Sequence, residues 1–486
     1  MNDIVARLNK KLDLPKGLYY ILLLAFVLRV IWLPQNLFFG FEQGRDFLEV
    51  SKIVHLEDFR LIGANTDIDG IFHGAFYYYF ISPIFFISSG DPLILTVFLI
   101  LLNVLGILFL YKAVVDLFDK KVAILSSLFF AVSYSAIIYS RWLSNPNLIP
   151  FFTCILFYSL VKARDVKKFL YLGALSWGII FHLSLATAVT LILPVLFFLF
   201  TYKIKINSKN VLTVLIVLIL LFSPYVIFDL RNNSILINSI FKYLQIAGNG
   251  KNYLSAFYLF LTEYVDNIMP TNRNIALLFL GISFFSLRNI FIKKEGRVIL
   301  GFIFLPILLY AVLGMVPIRH VFITYPIFLS IIMAVIILNL AKIKTYLALL
   351  ILLLIISSNI WYSLSVLPES KGNFLQRSQR TYLGDQKKAL DYIYTQAQGQ
   401  PFSYDYFSVP WWKSEAWDYL FLWYGKNKYG YLPLKKEKSQ IFYSVWEPDE
   451  TTPIYKDNWY GELNSVSNII ETREFGALGV EKREWK

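Results

Sequence analysis

The chain has 486 residues, 57% of them hydrophobic, and a mean hydropathy of +0.56. Its apolar residues form repeated blocks of about 20, the length that crosses a hydrocarbon core, which excludes an ordinary soluble globular protein. The one cysteine, Cys154, lies inside such a block, so an intrachain disulfide and a cysteine-built metal site are excluded.

The net charge of +13 does not indicate a nucleic-acid partner. Residues 368–486, which follow the last apolar block, hold 16 Lys/Arg and 16 Asp/Glu and are neutral. The excess basic residues therefore lie in short loops between apolar blocks, a pattern that determines membrane topology and not nucleic-acid binding.

The first apolar stretch, residues 17–34, follows a basic segment and lacks a small-x-small cleavage site, which predicts an uncleaved span with a cytoplasmic N-terminus. Ten later stretches predict further spans at 92–115, 122–140, 147–162, 168–182, 183–202, 210–228, 274–291, 297–316, 320–340 and 345–367. The stretch 72–89 is also apolar, and as a span it would move every later loop to the other side of the membrane.

The positive-inside rule decides whether 72–89 spans. If it does not, the cytoplasmic segments hold 20 Lys/Arg against 6 Asp/Glu, and the outer side of the membrane part holds 9 against 11. If it does, the basic loops that follow face outward. We therefore predict eleven spans, a C-terminus outside the cytoplasm, and an interfacial or re-entrant segment at 72–89.

The first outer loop, from residue 35 to about residue 72, is acidic. Glu42, Asp46 and Glu49 follow i, i+4, i+7 spacing, which places their side chains on one face of a helix. A solvated acidic face is the ordinary interpretation of such a run. Four histidines and three arginines are predicted in this loop or at outer ends of spans: His55, His73, His182, His320, Arg141, Arg231 and Arg319. If they converge, they form a membrane-level site for an anion such as a lipid phosphate.

Two segments resemble the first outer loop of the GT-C glycosyltransferases: Gly40-Phe-Glu-Gln-Gly-Arg-Asp46 and His73-Gly-Ala-Phe-Tyr-Tyr-Tyr79. The similarity is to the protein O-mannosyltransferases, the lipid A aminoarabinose transferases and related bacterial enzymes. Those enzymes carry an acidic pair after the first span and a His/Lys-Pro-Pro-aromatic motif before the second. This chain departs from both motifs, with Glu42-Gln43 at the first and Gly74-Ala75 in place of Pro-Pro.

Later segments extend the resemblance. Arg319-His320 occupies the place of an Arg-Tyr-like pair that opens a late span, and Arg141 to Asn145 lies where relatives have a polar outer turn. The implied architecture is an all-α polytopic GT-C-like membrane domain with an amphipathic outer loop (1–367), followed by a soluble outer α/β domain (368–486). In the latter, the sequence predicts a helix at 386–397 and strands at 440–446 and 469–474.

GT-C enzymes move a sugar from a polyprenyl-phosphate carrier to an acceptor outside the cytoplasm, so the resemblance implies a hexosyl- or pentosyltransferase that inverts the anomeric centre. The expected partners are that carrier, membrane lipids and a glycan, lipid or protein acceptor. No cofactor is expected; the acidic loop could hold a divalent cation, but no metal-ligand spacing requires one. The high Ile, Asn, Lys and Phe content suggests an AT-rich bacterial genome and hence a bacterial cytoplasmic (inner) membrane.

The resemblance also implies residue roles. Glu42 is expected to deprotonate the acceptor, while Asp46 orients the acceptor or Arg45. The donor phosphate is expected to contact Arg319, His320, His73, Arg45, Arg141 and Arg231. The site is expected to be lined by Gln43, Tyr77, Asn145 and His182.

Two other functions stay open. A transporter or flippase of a lipid-linked or small solute would carry ionisable groups near the bilayer midplane on broken helices, whereas these gather on one face. A non-catalytic assembly or receptor protein would act through the outer domain.

Overall fold

The computed structural model describes residues 14–247, 253–367, 381–411, 413–435, 439–449 and 452–486. The basic N-terminal segment and the first residues predicted for the outer domain, 368–380, lie outside these ranges. Within them the chain is mostly helical, and its strands form one short hairpin and one C-terminal sheet.

The membrane part consists of helices joined by short connections. They are α1 (Lys16–Val30), α2 (Leu33–Asn36), α3 (Phe41–Val54), α4 (Phe76–Ile87), α5 (Pro92–Leu117), α6 (Lys120–Val132), α7 (Tyr134–Arg141), α8 (Ile149–Ala163), α9 (Phe169–Leu183), α10 (Leu185–Thr201), α11 (Ser208–Arg231), α12 (Ile235–Ala247), α13 (Ser255–Ile268), α14 (Arg273–Ile292), α15 (Lys294–Leu313), α16 (Tyr325–Ile343) and α17 (Thr345–Val366). The 3-10 turns Asn145–Leu148 and Arg319–Phe322 lie before α8 and α16.

Among the described residues, seven segments are long and apolar enough to cross a membrane, and α6 with α7 makes an eighth. The remaining predicted spans correspond to α9 and α10, which are shorter at 15 and 17 residues, and to the 20-residue α14. Each of the eleven predicted spans therefore coincides with a helix or a bent helix pair. The chain is a multi-pass membrane protein.

The predicted span 122–140 is not one continuous helix, because α6 and α7 meet at an angle of 58°. The backbone N–H of Tyr134 donates to Asn359 Oδ1 at 3.0 Å, and the carbonyl of Ala131 accepts from Arg29 at 2.7 Å. These distant side chains replace helical hydrogen bonds at the bend, so a local pattern does not reveal it.

The segment 72–89 contains α4, a helix of 12 residues. At ~1.5 Å per residue it is about 18 Å long, which is short of the ~30 Å hydrocarbon core. It follows an antiparallel hairpin of β1 (Ile62–Asn65) and β2 (Phe72–Gly74). This geometry agrees with the prediction that the segment does not span.

The C-terminal part is a mixed sheet with helices. The strands are β3 (Phe402–Phe407), β4 (Leu434–Lys435), β5 (Ile441–Trp446), β6 (Ser467–Phe475) and β7 (Leu478–Trp485), in the order β4-β3-β5-β7-β6. The helices are α18 (Leu383–Ala397), α19 (Glu415–Leu420), α20 (Lys426–Tyr429) and α21 (Pro453–Val466). β3 is parallel to β4 and β5, whereas β7 is antiparallel to its neighbours. The predicted helix and both predicted strands are present.

Candidate functional site

Helix α3 carries the acidic residues whose spacing predicted one helical face. Asp46 is buried, and its Oδ1 accepts hydrogen bonds from Arg45 Nε at 2.9 Å and from the Tyr78 hydroxyl at 3.0 Å. Burial raises the pKa of Asp46, and Arg45 opposes that rise. Glu49, one turn further on, forms an ion pair with Lys52 at 2.9 Å. Asp46 is thus held in place by its neighbours.

Glu42 differs from these two acids in its surroundings. Its carboxylate makes no hydrogen bond or ion pair with the residues that the structure describes. Burial raises its pKa to about 6; Arg45 lowers it, and Asp46 and Asp67 raise it further. A carboxyl group with this pKa is mostly ionised at pH 7 but takes up a proton readily, which suits a general base.

His73 lies within electrostatic range of Arg45 on this helix and of His320. Burial lowers the pKa of His73 to about 4, helped by the positive charges of His320 and Arg45. Burial also lowers the pKa of His320, while Asp67 raises it. The His320 ring packs on Trp142 with centroids 5.7 Å apart. Burial thus disfavours the protonated form of both imidazoles in the free protein, and their role as phosphate ligands stays a prediction.

His73 has one ring nitrogen free for a ligand. It hydrogen-bonds the backbone of Leu183, and its buried Nδ1 has no partner in the described part of the chain. A neutral imidazole that donates to a carbonyl carries a lone pair on its other nitrogen. His73 can accept a hydrogen bond from a hydroxyl as it stands, and it can bind phosphate after taking up a proton, which a nearby phosphate favours.

Further buried polar atoms on this face also lack partners among the described residues. They include Asp46 Oδ2 and the Tyr77 hydroxyl, which lie within electrostatic range of each other, and Asn145 Oδ1 in the outer turn. Buried polar groups are nearly always paired, because each unpaired one costs about 1–3 kcal/mol. Asp46 is within electrostatic range of Glu42, so unpaired atoms around Asp46 indicate a site for a polar ligand at this helix.

Gln43 and His182 hold this region together. The Gln43 side chain is buried and donates to the Leu143 carbonyl at 3.0 Å, which joins α3 to the outer turn. His182 bonds a backbone carbonyl of α11, and its Nδ1 lies only 1.9 Å from where a Cβ on residue 74 would be. Gly74 is thus the residue that fits here, which accounts for one departure from the family motif.

Arg319 has two acidic partners that the sequence did not single out. Its Nε donates to Glu263 Oε1 at 2.5 Å, and its guanidinium also pairs with Asp266. Tyr139 donates to the same Glu263 oxygen at 3.2 Å. Glu263 is fully buried, so the arginine charge is already balanced at this site. In the sequence, the only pattern that could have pointed to these partners of Arg319 was the i, i+3 spacing of Glu263 and Asp266.

Arg141 is engaged by other groups, and Arg231 is exposed, so neither is shown to contact Glu42 or its neighbours. The Arg141 guanidinium is buried, and it donates to the carbonyls of Arg29 and Ile31 at 2.8 Å and to Asn36 Oδ1 at 2.5 Å. It therefore caps the end of α1. Arg231 is exposed at the end of α11 and makes no ion pair with any described residue.

The arrangement combines buried imidazoles and a partly exposed guanidinium with a carboxylate that has no hydrogen-bond partner in the described ranges. Glu42 can accept a proton, and Arg45, whose side chain is 28% exposed, can face an anion while paired with Asp46. Within the described ranges, no three His, Cys, Asp or Glu side chains are grouped as metal ligands.

Comparison with known proteins agrees with this architecture. Residues 73–228 match the family profile of the dolichyl-phosphate-mannose-protein mannosyltransferases. A search of curated protein sequences finds no match.

Two solved structures are similar over most of this chain. ArnT from Cupriavidus metallidurans, crystallised with undecaprenyl phosphate, has a TM-score of 0.58 and 10% identity, over 96% of this chain and 97% of that one. The Archaeoglobus fulgidus oligosaccharyltransferase has a TM-score of 0.49 and 13% identity, over 82% of this chain and 61% of its own. The likeness to ArnT shows the fold: a GT-C membrane domain followed by a small sheet domain.

Proposed function

We propose that the chain is a glycosyltransferase that moves a sugar from a polyprenyl-phosphate carrier to a hydroxyl acceptor on the outer side of the membrane. The observation that carries this proposal is the half-buried Glu42 carboxylate on the outer-loop helix, which has no hydrogen-bond or ion-pair partner among the described residues, together with nearby buried polar atoms that lack partners there too. The fold shared with ArnT, which binds undecaprenyl phosphate, and the mannosyltransferase profile support the carrier class.

In the proposed reaction, Glu42 removes the proton from the acceptor hydroxyl as its oxygen attacks the anomeric carbon. The bond from that carbon to the phosphate oxygen breaks, and its electron pair leaves with the polyprenyl phosphate. Displacement in one step inverts the anomeric centre. Arg45 and, once protonated, His73 and His320 stabilise the charge on the departing phosphate. Arg319 is a weaker candidate for this role, because Glu263 and Asp266 balance its charge.

The test compares Glu42→Gln with Glu49→Gln, which removes the same charge from the same helix. Purified protein in liposomes is given undecaprenyl-phosphate sugars with a radiolabelled hexose or pentose, together with bacterial membrane extract as acceptor source. We expect Glu42→Gln to slow release of undecaprenyl phosphate by about 10²–10⁴-fold, while Glu49→Gln stays within a few fold of wild type. Near-normal turnover of Glu42→Gln would remove Glu42 from the catalytic role, and sugar translocation without bond cleavage would favour a flippase.

A further inference from the structure

The C-terminal sheet domain packs directly against the back of helix α3. Gly44 is the contact point: a Cβ at this position would lie 2.3 Å from the backbone carbonyl carbon and oxygen of Glu415 and 2.4 Å from the backbone nitrogen of Ala416. Real Cβ atoms do not approach backbone this closely, so α3 and α19 touch at this distance only because residue 44 has no side chain.

The same helix presents Glu42 on its opposite side. Successive helical residues are about 100° apart, so Glu42 and Asp46 both lie about 160° around the helix from Gly44. Phe47 lies on the Gly44 side, and its ring packs on Tyr419 of α19 with centroids 5.1 Å apart. One face of α3 therefore belongs to the proposed site and the other to the sheet domain.

Hydrogen bonds to backbone carbonyls also link the sheet domain to the segment that leads into α3. The Leu383 N–H donates to the Leu37 carbonyl at 2.8 Å, and the buried Gln386 side chain donates to the Phe39 carbonyl at 2.9 Å. At the other end of the contact, the Tyr419 hydroxyl donates to the Gly90 carbonyl at 2.6 Å. The domain thus contacts the chain before α3, α3 itself and the turn that follows α4.

We propose that α19 is a positioning element that sets the location of Glu42 and Asp46, and that Gly44 is the residue through which it acts. This inference rests on the proposed function. Gln43 fixes α3 to Leu143 on the membrane side, so the helix is held between two supports at adjacent residues. A displacement of about 1 Å in a catalytic group can cost about 10²-fold in rate, so movement of α3 reduces catalysis even though neither support touches the substrate.

The test is Gly44→Ala, with Gly461→Ala as a matched control because Gly461 has nothing within 4 Å of its Cβ position. Tyr419→Phe is the milder second variant, since it keeps the ring and loses only the hydroxyl. We measure kcat and the donor KM for undecaprenyl-phosphate sugar, and hydrogen exchange of residues 41–54. For Gly44→Ala we expect kcat to fall at least 10-fold, donor KM to change by less than about threefold, and exchange of 41–54 to accelerate. Tyr419→Phe should also lower kcat and accelerate exchange of 41–54, by smaller amounts. Gly461→Ala should change neither kcat nor exchange.

Several results would overturn the inference. Unchanged exchange in Gly44→Ala contradicts the contact, and faster exchange with normal kcat contradicts the positioning role. A loss of kcat equal in Gly44→Ala and Gly461→Ala points to general destabilisation and also contradicts it. Wild-type protein without transfer activity overturns the proposed function instead; faster exchange in Gly44→Ala then still supports α19 as the element that holds α3.

Discussion

Arg319 and the buried Glu263 form an ion pair that joins two distant parts of the membrane domain. Arg319 lies in the 3-10 turn before α16 and Glu263 lies in α13, and their side chains meet at 2.5 Å. The pair fixes the turn that carries His320, which packs on Trp142 near the proposed site. Its role is therefore to hold this turn as well as to provide charge.

The first prediction concerns the stability of this pair. Arg319→Gln leaves Glu263 buried without a compensating charge, which we expect to cost about 3–5 kcal/mol of unfolding free energy. Adding Glu263→Gln removes the uncompensated carboxylate, so the double variant should recover part of that loss. Thermal unfolding of the purified protein in detergent measures the difference, with the exposed Arg231→Gln as control. If single and double variants melt at the same temperature, the uncompensated charge is not the cause.

The second prediction is that transfer activity depends on pH through Glu42. Burial raises its pKa to about 6, and the base must be ionised to accept the acceptor proton. Activity should therefore rise as pH increases through about 6, with about one tenth of the maximum at pH 5. His73, with a pKa of about 4, adds no step between pH 5 and 8 in the free enzyme.

The pH profile is measured as kcat/KM at low donor concentration, because that quantity reports the free enzyme. Glu49→Gln should keep the midpoint, since Glu49 is paired with Lys52. A flat profile from pH 5 to 8, or a midpoint near 4, would argue against Glu42 as the base.

The third prediction separates structural arginines from ligand-binding ones. Arg141 caps the end of α1 through three acceptors, and a lysine cannot reach them with the same planar geometry. Arg141→Lys should reduce the unfolding free energy by about 2 kcal/mol. Arg231→Lys, at an exposed position, should change it by less than about 0.5 kcal/mol. Binding of undecaprenyl phosphate to folded Arg141→Lys protein should match wild type; a tenfold weaker affinity would return Arg141 to the phosphate site.

The sequence predicted the features that depend on local pattern or on summed charge. The i, i+4, i+7 spacing of the acids predicted α3, and the basic loops predicted that 72–89 does not span, with which the short α4 agrees. Contacts between distant residues were not predictable. The bend after α6 depends on Arg29 and Asn359, and neither residue lies in the bent segment.

In the candidate site, too, contacts between distant residues were not predictable from the sequence. Glu42 was selected from its spacing and from a short motif, and its carboxylate, which has no hydrogen-bond partner in the part of the chain that the structure describes, fits that choice. The arginines were grouped because all were expected at outer span ends. Their side chains turn out to have different partners, and those partners decide whether each charge is free: carbonyls for Arg141, carboxylates for Arg319.

The last prediction is the orientation of the chain, which the positive-inside counts predict and labelling can measure. Cys154 is buried, so single cysteines can be added in a Cys154→Ser background at three exposed positions, Glu57, Lys121 and Asn427. With eleven spans, a membrane-impermeant maleimide added to intact spheroplasts should label Glu57→Cys and Asn427→Cys, and it should label Lys121→Cys only after permeabilisation. Glu57 precedes the segment 72–89 and Asn427 follows every span. Labelling of these two positions from opposite sides would therefore mean that 72–89 crosses the membrane after all.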